Sequence, residues 1–281
     1  MNSSPILVIG KNGKTGSRVN LRLQALGLKT RAVSRSTTPA FDWEDASTWQ
    51  AAIKGTSTAY VTYQPDLAVA NAEAAIKAFL SIAAESGLKH IVLLSGRGEQ
   101  GAERAEDLLK ASGLSWNIIR ASWFNQNFSE SFMLQGIMAG ELVLPAGNTL
   151  EPFIDVDDIA DVVVAALTRH ELRNQLLEIT GPELLSFIDC VNTIAHASAR
   201  EIGFTTLPVD TYLQAAIADG LPDDIAWLIN ELFVNVLDGR NESTTDTVER
   251  VLGRPARRFE SYVMSVASTG IWDEEKQVLE S

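Results

Sequence analysis

The sequence predicts an α/β protein: a doubly wound parallel sheet carrying a smaller, mainly helical C-terminal lobe. Three observations predict it. Short apolar runs alternate with longer helix-patterned stretches through the first half of the chain. The first run ends in a glycine-spaced turn. From Leu185 onward the pattern becomes mostly helical. Strands alternating with helices call for a parallel sheet, because each parallel strand needs a crossover to return the chain to the same edge.

The elements follow in order. Strand-like runs are Ile6–Ile9, Thr30–Ser34, Ala59–Thr62, Ile91–Leu94 and Trp116–Ile119, with helical stretches at Ser17–Leu26, Ala68–Ser86 and Ala102–Ser112. Ser86-Gly87-Leu88 and Ser112-Gly113-Leu114 read as matched helix stops, with glycine just past the last turn. Asp155–His170 reads as a further helix, N-capped by Asp155 or Asp157, and Leu176–Ile179 as a strand. The helical part after Leu185 is broken at Gly220-Leu221-Pro222 and Gly239-Arg240-Asn241. No internal repeat or low-complexity segment interrupts this order.

The first strand and its turn read Ile6-Leu7-Val8-Ile9-Gly10-Lys11-Asn12-Gly13-Lys14-Thr15-Gly16. The first glycine permits a tight turn, the second a close approach of pyrophosphate to the backbone, the third close packing of helix on strand. The helix that follows presents unpaired N–H groups and a positive dipole end to the phosphates. Strand before, helix after, and position at the start of the chain point to a dinucleotide. The second strand then bears on which one. An NAD site usually carries Asp or Glu at this strand end, to hold the ribose 2′-hydroxyl. Here Ser34-Arg35-Ser36-Thr37 has no acid, and the first one is Asp42. A guanidinium at Arg35 suits a 2′-phosphate, with Lys11 or Lys14 adding charge, so NADP(H) is favoured over NAD(H). The plain alternative is a solvated arginine at a strand end.

Composition narrows the classes. The 281 residues are 46% hydrophobic, enough for one large domain or two modest ones. The net charge of −13 argues against a broad phosphate-backbone footprint on nucleic acid. No apolar run is long enough to span a bilayer. Met1-Asn2-Ser3-Ser4-Pro5 leads straight into the first strand, leaving no room for a signal peptide. The single cysteine, Cys190, stands among Phe187, Ile188 and Val191 and reads as a buried thiol; a chain without disulfides fits the cytoplasm. The three histidines, His90, His170 and His196, share no metal-like spacing. Asp155, Asp157, Asp158 and Asp161 read as charges at a helix N-terminus, so no metal is expected.

An absence is equally informative. Short-chain reductases often use Tyr-x-x-x-Lys, where the lysine lowers the pKa of a proton-donating phenol. The four tyrosines, Tyr60, Tyr63, Tyr212 and Tyr262, are followed four residues later by Gln64, Leu67, Ala216 and Val266. The chemistry then needs no such donor, finds it elsewhere, or does not occur.

Several motifs resemble a known family. Gly10-x-x-Gly13-x-x-Gly16, Glu106-x-x-Leu109-x-x-Ser112-Gly113-Leu114-x-x-x-Ile118-x-Arg120 and Trp123-Phe124-x-x-Asn127-Phe128 resemble the NmrA-like branch of atypical short-chain dehydrogenases. Val33-Ser34-Arg35-Ser36, Phe41-Asp42-Trp43-x-Asp45, Thr48-Trp49, Thr180-Gly181-Pro182-Glu183 and Val251-Leu252-Gly253-Arg254-Pro255 resemble its festuclavine dehydrogenase-like group, the ergot alkaloid reductases and their bacterial relatives. The likeness covers nearly the whole chain. It implies a Rossmann-type nucleotide domain over 1–154, to which 155–170 and 176–179 return, a smaller substrate lobe over 180–272, and an acidic tail over 273–281. It implies cofactor contact through Gly10, Asn12, Gly13, Lys14, Thr15, Gly16, Ser34 and Arg35. Tyr63 and Gln64, with Pro65, are implied to cover the adenosine side. Ser95 and Gly96 are implied to lie by the nicotinamide ribose, and Ala121-Ser122-Trp123-Phe124 to border nicotinamide and substrate. Two departures stand out: Ala121 occupies a position where many members have proline, and Ala102–Glu103 offers neither lysine nor histidine.

The remaining candidates have plainer readings beside the functional ones. Glu106 with Lys110 reads as a surface pair on one helix face. Trp123 and Phe124 are either core aromatics or pocket walls, and Asn127 either braces its loop or faces a substrate. Ile225–Leu237, with Trp227 and Phe233, either lines a cleft or fills a core. The combined expectation is an NADPH-dependent reductase passing hydride to a small imine, iminium, enone, quinone or azo compound. Ser95 and Trp123 are its candidate catalytic residues. The alternative is a non-catalytic redox sensor that acts through a protein partner. The expected partners are a small molecule and a second copy or another protein, with neither nucleic acid nor membrane.

Overall fold

The computed structural model describes residues 4–273; the predicted acidic tail lies outside the described residues apart from Asp273. The first half alternates β1 (Ile6–Ile9), α1 (Lys14–Ala25), β2 (Thr30–Val33), α2 (Trp49–Ile53), β3 (Thr58–Val61), α3 (Ala72–Glu85), β4 (His90–Gly96), α4 (Gln100–Ala111) and β5 (Ser115–Ala121). There follow α5 (Met133–Ala139), β6 (Glu141–Leu144), α6 (Val156–Thr168), β7 (Gln175–Ile179), α7 (Phe187–Ser198) and β8 (Gly203–Thr206). The last elements are α8 (Val209–Ala218), α9 (Asp223–Asn230), a π-helical segment (Glu231–Val236), α10 (Thr247–Leu252) and α11 (Phe259–Ala267). Six parallel strands form one sheet in the order β2-β1-β3-β4-β5-β7. The chain moves outward from β1 to β2 and then crosses back to β3, so the strand order reverses beside β1. Open α/β sheets bind ligands in the crevice at such a point, outside the strand C-termini.

Strand residues sort to two faces with period two. Leu7, Ile9, Ala59, Val61, Ile91 and Leu93 join one core with residues of α2, α3 and α4. Val8, Tyr60, Val92 and Ile119 join another with α1, α6 and α10. Both faces are covered, which is why these runs are apolar throughout rather than alternating with polar residues. The predicted helix stops hold: Gly87 and Gly113 have φ of +86° and +76°, where a side chain would be strained. Asp155 caps α6, accepting a hydrogen bond from the Asp157 amide at 2.8 Å.

A third core joins the later elements. Phe128, Met133, Ile137, Phe153, Phe187, Val191, Phe259 and Trp272 are buried together, and Cys190 among them is an inert thiol pushed up in pKa by burial. The lobe is mainly helical, as expected, and also carries β8, which pairs in parallel with β6 as a separate two-stranded sheet. Four-residue strands such as Gly203-Phe204-Thr205-Thr206 leave too little periodicity to read. The helix expected from Ala68 begins only at Ala72. Asp66 intervenes: its side chain takes the Ala68 amide at 2.8 Å and holds the stretch before it as a loop. No helix among the described residues is long and apolar enough to cross a membrane.

Candidate functional site

The glycine turn is built by close approach. Gly10 has φ +84°, and a Cβ there would lie 2.7 Å from Thr62 Oγ1. A Cβ on Gly16 would lie 2.2 Å from the Gly10 carbonyl oxygen, so α1 can sit against β1 only with glycine there. Gly10 and Lys11 donate their amides to the Val33 carbonyl, which ties the turn to the end of β2. At that end Asn12 donates to Ser34 Oγ at 3.4 Å, and Ser34 lies 3.1 Å from the Ser36 hydroxyl. Arg35 is exposed beside them. No carboxylate among the described residues pairs with it. An uncommitted guanidinium next to two hydroxyls fits a phosphate monoester, and the α1 N-terminus fits a diphosphate.

From this turn a cavity of about 580 Å³ runs along the strand C-termini. Gly13, Lys14, Thr15, Tyr63, Gln64, Ser95, Gly96, Ala121, Trp123, Phe124 and Asn127 all line it. Gly10, Asn12, Gly16, Ser34 and Arg35 lie outside its walls, the glycines under the turn and the others on the exposed shelf at the end of β2. Burial is the largest influence on the Lys14 amine and lowers its pKa, while Glu130 opposes it; the amine reaches Asn127 Oδ1 at 3.4 Å. Tyr63 is held against Trp43, with ring centroids 4.8 Å apart, and Trp43 Nε1 donates to the Thr62 carbonyl at 2.9 Å. The Phe41-Asp42-Trp43 motif thus braces the cavity wall from behind.

Beneath the cavity lies an ion pair that the sequence reading placed on the surface. Glu106 is fully buried. Arg120 grips it with two hydrogen bonds, Nε to Oε1 at 2.9 Å and Nη2 to Oε2 at 2.6 Å. Ser95 Oγ donates to the same Oε1 at 2.7 Å, so this hydroxyl is committed to the floor. Lys110 is only a secondary neighbour at 3.7 Å. The helical spacing of Glu106 and Lys110 was real; the partner across the sheet, fourteen residues on, could not be read from it.

The far end of the cavity is apolar. Ile225, Leu228, Ile229, Leu232 and Phe233 close it from α9 and the π-helical segment, and Tyr212 and Ala216 from α8. Trp123 joins both alternatives left open for it, lining the cavity while its ring packs edge-on against Phe187 and Phe233. Trp227 points out, 46% exposed. Two acids absent from the sequence candidates, Asp66 and Glu99, also stand in the wall. Only their place after strand ends could have marked them.

The other candidates are structural. Asp157 and Asp161 pair with Arg22, and Asp158 with Arg254 and Arg257, which explains the Arg254-Pro255 motif. His90 is buried between Ser115 Oγ and the Ala166 carbonyl. Glu183 accepts from Arg258 and the Phe259 amide.

Comparisons with known proteins agree with the motif resemblance. No family model matches the chain. Its sequence is 29% identical to an NAD(P)H azoreductase of Xenophilus azovorans, over 94% of this chain and 98% of that protein. It is 28% identical to an agroclavine dehydrogenase of Claviceps fusiformis, over 92% and 96%. The fold is similar to that of Citrobacter triphenylmethane reductase solved with NADP(H), with TM-score 0.78 and 15% identity over 94% of this chain and 99% of that one. It is similar also to NmrA, a negative transcriptional regulator solved with NADP, with TM-score 0.70 and 14% identity over 96% and 97%. The sequence relatives agree with the resemblance to the clavine dehydrogenase group, and the solved structures, NmrA among them, share the fold.

Proposed function

We propose that the protein is an NADPH-dependent reductase of a small organic electrophile. The observation that carries this reading is the single cavity that begins at the glycine turn and ends in an apolar chamber. A site for a dinucleotide alone would need only the first half. Gly13 to Thr15 would seat the diphosphate, and Asn12, Ser34 and Arg35 the adenosine ribose with its 2′-phosphate. Tyr63 and Gln64 would cover the adenosine side. Ser95, Gly96 and Ala121 would border the nicotinamide. NADPH bound there supplies hydride. Trp123, Phe124 and Asn127, with Phe233 and the Leu228–Leu232 face, would hold a flat acceptor against it and exclude water, so positioning supplies much of the rate. The names of the azoreductase and clavine dehydrogenase relatives agree with this class of reaction. The same division would make 1–154, with 155–170 and 176–179, the nucleotide domain. The region 180–272 would be the substrate lobe, joined by β6.

A redox sensor needs no acceptor chamber, and the apolar end favours turnover. Two measurements test the proposal. In titrations, NADPH should bind at least about ten-fold more tightly than NADH, and Arg35→Ser should remove most of that preference. Equal affinities would refute the NADP assignment. In a panel of imines, quinones, azo dyes and enones, at least one should be reduced with consumption of NADPH; binding of NADPH without its consumption by any of them would refute the reductase reading in favour of the sensor.

A further inference from the structure

The cavity wall contains a carboxyl pair. Glu99, just past β4, folds its side chain back over Gly96. A Cβ on Gly96 would lie 1.9 Å from Glu99 Oε1, so the seat exists only because that residue has no side chain. Asp66 stands in the same wall from the β3–α3 loop, held there by the Ala68 amide at 2.8 Å. Two carboxyl groups brought together in a water-poor site resist ionising together, so one of them keeps a proton. The charges that bear most on Glu99 are acidic: Asp66 from the loop, Glu231 from the π-helical segment and Glu106 from α4. The basic groups nearby are engaged elsewhere. Arg97 is bonded to Glu178, to the Asn241 and Ser243 carbonyls and to the Ser243 hydroxyl. Lys14 is turned to Asn127. Burial first, and the Asp66 carboxyl next, push Glu99 well above the ordinary carboxylate range.

We propose that Glu99 is the proton donor of the substrate pocket, with Asp66 as the positioning residue that shares its proton. The proposal rests on the reductase reading and narrows it. The favoured substrates are acceptors that need a proton as well as a hydride: quinones, enones and azo compounds. An iminium ion becomes a neutral amine on hydride addition alone. With a neutral acceptor, hydride from the reduced nicotinamide forms the new C–H or N–H bond, and the π pair moves to the acceptor's oxygen, α-carbon or second nitrogen. That atom takes the proton as the Glu99 O–H bond breaks. Water then reprotonates the carboxylate pair. The missing Tyr-x-x-x-Lys is thereby replaced by an acid on the loop after β4, where the sequence offered no phenol.

The test uses the full chain and two conservative variants, Glu99→Gln and Asp66→Asn. Without nucleotide, the infrared spectrum of the unaltered protein at neutral pH should show the carbonyl stretch of a protonated carboxyl that is lost in Glu99→Gln. With NADPH, a naphthoquinone and an N-methyl dihydroisoquinolinium ion are compared. Glu99→Gln should lower kcat on the quinone by roughly 100-fold or more and leave reduction of the iminium within about three-fold. NADPH affinity should not change. Asp66→Asn removes a like charge, so the pH above which quinone reduction declines should move down. A missing carboxyl band, equal losses on both acceptors, no loss on the quinone, or turnover of the iminium alone each overturns the donor and leaves the reductase reading standing. Failure of the unaltered protein to bind NADPH overturns that reading itself.

Discussion

Glu106 shows how much one buried side chain organises. It satisfies Arg120 and Ser95 at once and fixes the ends of β4 and β5 under the cavity. The motif that runs from Glu106 to Arg120 is therefore the two halves of a buried ion pair, not a catalytic set. Removing Glu106 takes the bidentate partner from a guanidinium that is 17% exposed, leaving it only the longer contacts to Glu103 at 3.3 Å and Glu178 at 3.8 Å, and strips the Ser95 hydroxyl of its acceptor. Breaking such a pair costs more than forming it gains, because the groups left behind remain largely desolvated. Glu106→Ala should lower stability by about 3 kcal/mol, read from urea midpoints at unchanged slope. A loss under about 0.5 kcal/mol would mean that the pair behaves like an exposed one.

The π-helical segment and α9 form the apolar wall of the cavity. Leu228, Leu232 and Phe233 face the cavity, whereas Trp227 and Val234 face outward. One extra residue per turn in a π segment rotates the side chains that follow, and such turns often mark functional sites. Here it lets Phe233 meet both Trp123 and Phe187, with centroids at 5.2 and 6.1 Å. Phe233→Ala should raise KM for aromatic acceptors about ten-fold, the loss of one aromatic contact and its burial. NADPH affinity should stay unchanged, because Phe233 lies at the apolar end. Steady-state kinetics beside a nucleotide titration would check this, and a parallel loss of NADPH affinity would contradict it.

At the scale of the molecule, the regions meet around Arg97. Its guanidinium joins the end of β4 to residues 241–243, and Asn241 donates back to the Arg97 carbonyl. Close by is Glu151, fully buried, whose pKa burial raises to about 7 against the opposing pull of Arg97 and the Asn241 amide. A carboxyl raised in the folded state binds its proton more tightly there than in the unfolded chain. Its contribution is full below the ordinary value of 4.5 and is lost as pH rises to about 7. Glu151→Gln removes that dependence. The stability of the variant relative to the unaltered protein should grow by on the order of 2 kcal/mol between pH 4.5 and pH 7.5, then level off. Parallel stability curves over that range would refute it.

Periodicity and punctuation are local, and what depends on them was legible in the sequence. The strands from Ile6 to Ile119, the helix stops at Gly87 and Gly113, the Asp155 cap and the turn at Gly10–Gly16 each follow from a few consecutive residues. So does the parallel sheet, because buried apolar runs alternating with helices have few other ways to pack. What the sequence left open required contacts between distant positions. Glu106 read as a surface residue because Arg120 lies on another element. Four-residue β6 and β8 carried no pattern until they paired across about sixty residues. Asp66 and Glu99 were ordinary loop acids until the folded chain put them against each other over Gly96. The sequence by itself determined the fold class and the nucleotide-type turn, since backbone sterics and hydrophobic period act locally. Only the tertiary structure decided which side chains share the cavity, because burial and charge pairing exist only once the elements have met.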